Sequence, residues 1–73
     1  MPPLPVLSGA ETVRNFQRFG WTVARQRGSH IIMTKPGVAV TLSVPNHSSV
    51  AKGTLRTLIR NAGLTVDEFC ATL

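Results

Sequence analysis

Apolar positions recur along this chain at two different spacings, and the switch between them predicts the order of elements. Ser8-Gly9-Ala10-Glu11 matches a capping box, in which the Ser8 hydroxyl and the Glu11 carboxylate each satisfy an orphan amide. A helix is expected from about residue 9 to 19, with Val13 and Phe16 on one face, Arg14 and Arg18 on another, and Gly20 as its stop. The period then falls to two. Residues 21–26 alternate as a half-buried strand does, Arg27-Gly28-Ser29 reads as a turn, and His30-Ile31-Ile32-Met33-Thr34 reads as a β-branched second strand. After a reversal at Pro36-Gly37, residues 38–44 set Val38, Val40, Leu42 and Val44 on one face of a third strand, which Pro45 ends. Asn46-His47-Ser48-Ser49 is a polar loop. Leu55, Leu58, Ile59 and Ala62 then mark a second helix over about 51–62, stopped by Gly63. Thr65-Val66-Asp67-Glu68 is another capping box, and it opens a short terminal helix that could tuck Phe69 and Leu73 against the body.

The order helix, three antiparallel strands, helix, stub predicts an α+β sandwich. A three-stranded antiparallel sheet with one apolar face needs a cover, and the two main amphipathic helices supply it from the same side. This is the architecture of double-stranded-RNA-binding domains. Residues 1–73 leave room for a single domain, and the prolines at 2, 3 and 5 make residues 1–7 a stiff, extended lead-in. The pattern of the second strand leaves open whether Ile31 and Met33 or Ile32 points inward, and with it the direction of His30.

Charge narrows the class of partner. Eight Lys and Arg stand against three acids, Glu11, Asp67 and Glu68, for a net charge of +5. That balance suits nucleic acid or an acidic protein surface. Cys70 is the only cysteine, so no internal disulfide can form, and a reducing cytoplasm is the expected compartment. Beside Phe69 it reads as a small buried hydrophobe. No run resembles a signal peptide or approaches the ~20 apolar residues that span a bilayer, so no membrane partner is expected.

The chemistry on offer is limited. His30 and His47 are the only side chains that ordinarily titrate near neutrality. Either could serve as a structural, hydrogen-bonded residue or as a catalyst. Lys52, Arg56 and Arg60 recur at every fourth position of the second helix with no acid between them, and Arg25 and Arg27 lie in or beside the first strand, so a phosphate-facing groove is plausible. Gly53 and Thr54 add amides and a hydroxyl at the helix start, where an anion can sit. The sequence carries no HExxH, no Cys/His zinc spacing, no carboxylate cluster and no glycine-rich phosphate loop, which disfavours two-metal hydrolysis and predicts neither metal nor cofactor. A nuclease built from these residues would use the 2′-hydroxyl of RNA as nucleophile, a histidine as base and cations to stabilise the transition state.

Gln26-Arg27-Gly28-Ser29-His30, then Val44-Pro45-Asn46-His47, then Lys52-Gly53-Thr54-Leu55-Arg56 with Ile59 and Ala62-Gly63-Leu64, resemble the HicA toxin family in one order over nearly the whole chain. The reversal at Lys35-Pro36-Gly37 is shorter than in many members. The resemblance implies a growth-arresting toxin of a type II toxin-antitoxin system that cleaves mRNA without the ribosome, and a HicB-like antitoxin that covers the active site. It carries the catalytic role to His30 and matches His47 to the histidine after the family's Val-Pro. On this reading Arg27, Ser29, His47, Lys52, Thr54 and Arg56 contact RNA or its phosphates. Two rivals stand beside it: a non-catalytic RNA-binding module of the same fold, and an interaction adaptor with a basic docking face.

Overall fold

The computed structural model describes residues 3–73, so Met1 and Pro2 of the lead-in lie outside it. Its elements run α1 (Gly9–Gln17), β1 (Thr22–Arg27), β2 (His30–Thr34), β3 (Leu42–Pro45), α2 (Lys52–Asn61) and α3 (Val66–Cys70). The strands form one antiparallel sheet in the order β1-β2-β3. The expected α+β sandwich is the observed fold, with a short C-terminal helix closing it.

Both predicted capping boxes are present. Ser8 and Glu11 close the start of α1, and Thr65 and Glu68 do the same for α3. Gly20 follows α1 with φ +92°, a conformation that costs glycine little and other residues more. The core lies between the helices and one sheet face. Phe16, Met33, Leu42, Val44, Leu55, Ile59 and Phe69 are buried there, with Trp21 beside them. The Phe16 and Phe69 rings meet with centroids 4.9 Å apart and tilted planes, which fastens α3 to α1. Asn15 reinforces this joint from a fully buried position. Its amide donates to the Phe69 carbonyl, while its Oδ1 accepts from Arg18 and from the Thr72 hydroxyl. Phe69 is thus tucked in as expected, whereas Leu73 stays exposed.

Two readings of the pattern need correction, and the lead-in supplies core residues besides. Trp21 is a core residue just before β1, and the strand extends through Arg27. Residues 3–8 form no regular element, yet Leu4 and Leu7 are buried in the core. The third strand covers only Leu42–Pro45, because the register pairs Met33 with Leu42 and β2 ends one residue later at Thr34. The chain turns at Pro36-Gly37, so among the described residues no strand pairs with Val38 or Val40, and both are exposed.

The register also settles β2. Met33 is fully buried and Ile31 packs against the core, so both point toward the helices. Side chains alternate along a strand, so His30 and Ile32 stand on the opposite, open face.

Candidate functional site

Two residues, Gly28 and Ser29, separate β1 from β2. Gly28 has φ +58° and Ser29 does not have a positive φ, the sign pattern of a type II′ hairpin turn, which takes glycine first. The Gln26 side-chain amide donates to the Gly28 carbonyl at 3.1 Å and ties the turn to its own strand. Arg27 and His30 lie directly opposite each other as the closing pair. Opposed residues share a face, so Arg27 stands beside His30 on the open side, and Arg25, opposite Ile32, follows one step along. Every residue of β1 is exposed, and so is His30.

From the other flank, Pro45 lies across from His30 on β3. The next amide, Asn46 N–H, donates to the Ser29 carbonyl at 2.6 Å. The His47 carbonyl then accepts from Gly9 N–H at 2.8 Å, and Val50 N–H donates to the Leu7 carbonyl at 2.8 Å. The hairpin tip, the loop after β3 and the start of α1 are therefore joined by main-chain bonds at one end of the sheet. His47 follows Asn46 directly and is exposed.

α2 begins at this same end. It runs back along β3, since Thr41 and Ser43 line one groove of about 440 Å³ together with Gly53, Thr54, Thr57, Leu58 and Asn61. Unlike α1 and α3 it has no side-chain cap: Ala51 holds the N-cap position, and the first turn carries no acid. At ~100° per residue, Lys52, Arg56 and Arg60 occupy the flank of α2 turned away from Thr54 and Thr57. The structure thus brings the Arg27, Ser29 and His30 hairpin tip to the loop that carries His47, while Lys52 starts α2 on the helix side of the sheet. It does not place Thr54 with the basic stripe, and Arg56 lies one turn further along α2.

Spacing in the sequence missed the parts played by Gly9, Pro45 and Asn46, which act through their backbone. Pro45 showed as a strand end, but nothing in a single sequence says that the next amide reaches Ser29. Among the described residues, no three His, Cys, Asp or Glu side chains are placed to hold a metal ion.

The family model described as the HicA toxin of bacterial toxin-antitoxin matches residues 9–64. The chain belongs to the HicA toxin family. The match runs from the first residue of α1 to just beyond α2, and so includes the hairpin, both histidines and the whole basic stripe. A comparison with curated proteins finds no match for this HicA family member. Family membership gives it the role of a toxin and implies a cognate antitoxin partner. Among the described residues, no helix is long and apolar enough to cross a membrane.

Proposed function

We propose that this toxin is a metal-independent endoribonuclease that cleaves mRNA, with His30 as its acid/base. The observation that carries the reading is the position of His30: an exposed imidazole at the mouth of a rigid hairpin, directly across from Arg27 on the face that carries no core. The neutral imidazole takes the proton of a ribose 2′-hydroxyl as that oxygen attacks the adjacent phosphorus. The P–O5′ bond breaks, a 2′,3′-cyclic phosphate forms, and the departing 5′-oxygen takes up a proton from the imidazolium or from water. Arg27, with Arg25 behind it, faces the charge that builds on the phosphoryl oxygens. Ser29 shapes the turn and presents its carbonyl to Asn46, and the exposed His47 beside it contacts the RNA. Lys52 and Arg56 hold phosphates beyond the scissile one, and the uncapped amides around Thr54 add a further anion contact.

The test is induced expression of wild type and His30→Ala, with growth and RNA integrity followed in cells and in EDTA-treated extracts. The expected result is RNA cleavage by wild type in both settings, and a variant that folds but neither cleaves nor arrests growth. A folded His30→Ala protein that still cut RNA at the wild-type rate would remove the assignment. RNA retention without any product, by either protein, would instead make the chain a binding module.

A further inference from the structure

We propose that the open edge of β3, with the groove between it and α2, receives an extended, acidic strand of the cognate antitoxin. This rests on family membership and not on the nuclease chemistry above.

The hydrogen-bonding parity of the sheet identifies the free peptide groups. The Asn46 amide bonds to the Ser29 carbonyl, which makes 46 and 29 a hydrogen-bonded pair in the register that sets Val44 opposite Ile31 and Leu42 opposite Met33. Antiparallel ladders alternate bonded and non-bonded pairs. The peptide groups of Leu42 and Val44 therefore turn to β2, and those of Ser43 turn outward to the groove. Pro45, the next outward position, has no N–H to offer. The edge thus presents a Ser43 donor and acceptor toward Thr54, Thr57 and Asn61.

The two sheet edges differ in how they are protected. β1 carries Arg25 and Arg27 and a bulge between Val23 and Arg25, the charges and irregularity that keep an edge from recruiting another strand. Leu42-Ser43-Val44-Pro45 has neither charge nor bulge. Strand addition to such an edge takes its affinity from main-chain bonds and its specificity from the neighbouring groove. At ~3.3 Å per residue, Thr41 to Pro45 has room for a strand of about four residues.

Charge selects the occupant. No acidic residue lies between Glu11 and Asp67, so β3, α2 and the loops beside them carry only cations, including Lys52, Arg56 and Arg60. A second copy would bring the same +5 charge to the contact. RNA is less suited to the groove, whose lining holds no aromatic ring for a base to stack on. A peptide strand satisfies the edge, and Asp or Glu on its flanks meets the positive charge around the uncharged groove, whose α2 stripe lies on the flank away from Thr54 and Thr57.

The experiment uses the full-length antitoxin, identified as the protein that restores growth when co-expressed with this chain. Amide hydrogen exchange is followed in the free toxin and in the complex, and affinity is measured for Ser43→Pro, Ser43→Val and Thr57→Trp. The expected result is strong slowing at the Ser43 amide in the complex. Ser43→Pro, which removes the outward N–H and leaves the bonds to β2 in place, and Thr57→Trp, which fills the groove, should each weaken binding about 30-fold, while Ser43→Val binds like wild type. An unchanged Ser43 amide in the saturated complex overturns the proposal, and this reading needs no variant to fold. Self-association of the free toxin that Ser43→Pro abolishes would give the edge to a second copy. Protection of Ser43 by RNA alone would give it to RNA. Cleavage assays on the free variants keep the readings apart: a wild type that fails to cut RNA removes the nuclease and leaves the edge assignment standing.

Discussion

Gly9, the first residue of α1, and Pro45, the last of β3, meet backbone to backbone: a β-carbon added at Gly9 would run into the Pro45 carbonyl and lie 2.8 Å from Asn46 Cα. Both neighbours are main chain and cannot swing aside. Alanine is the better helix former by about 1 kcal/mol, yet the overlap costs about 1–3 kcal/mol. Gly9→Ala is therefore expected to destabilise the protein by up to about 2 kcal/mol and to lower activity by shifting the segment opposite His30. A urea midpoint at or above that of wild type would contradict this packing.

The Arg27–His30 pairing separates near cations from distant ones. Arg27→Ala should reduce RNA cleavage by about 100-fold, the low end of the range seen when one transition-state donor is removed. Arg60→Ala, two turns along α2, should change it by no more than about threefold. Equal losses from both would show that general charge, and not the hairpin face, sets the rate.

Asn15 is buried and spends both ends of its amide on the joint between α1 and the C-terminal segment. Removing it takes the buried amide donor from the Phe69 carbonyl and the acceptor used by Arg18 and Thr72, and leaves the Thr72 hydroxyl only its bond to Phe69. Asn15→Ala is expected to cost about 2–4 kcal/mol, and Thr72→Ala about 1 kcal/mol. Thermal melts, with hydrogen exchange at Phe69 and Cys70, would show whether α3 detaches first.

Val40 and Val44 look alike in the sequence and sit in opposite environments. Val40→Thr should stay within about 0.5 kcal/mol of wild type. Val44→Thr, which buries a hydroxyl, should cost about 1–3 kcal/mol. Similar losses at both positions would restore the longer strand.

Glu11 supplies a pH signature. The Ser8 main-chain N–H, then the Ser8 hydroxyl, then the Arg14 charge hold its carboxyl below the usual 4.5. A lowered folded-state pKa gives stability that is present above the unfolded value and is lost as pH falls through the folded one. The melting temperature of wild type relative to Glu11→Gln should hold steady from neutral pH down to the ordinary carboxylate range, then narrow below it. A gap constant down to pH ~2.5 would mean that the carboxylate charge plays no part in the cap.

What could be read in the sequence follows from the range of the interactions involved. The Ser8–Glu11 and Thr65–Glu68 boxes and the Leu55-Leu58-Ile59 stripe are local, so the letters suffice to find them. The alternation of Val38 and Val40 misleads because a strand exists only where a partner lies opposite, and β2 has already ended at Thr34. The inward face of β2 depends on Met33 meeting Leu42, a pairing that local pattern does not specify. His30 was singled out by the turn and the resemblance, but its neighbour Arg27 and the bond from Asn46 to Ser29 depend on register. The split of α2 into a basic flank and a hydroxyl flank was implicit in the helical period, while only the contact with β3 shows which of them faces the sheet.

The bonds that assemble the His30 end, from Asn46 to Ser29, from Gly9 to His47 and from Val50 to Leu7, are all made by peptide groups. The loop's architecture is thereby uncoupled from the identity of its side chains. Substitutions at Asn46, His47 or Ser48 can change the chemistry of the loop's surface without dismantling the frame. A toxin organised this way can diverge at that surface by single steps, each starting from a folded ancestor.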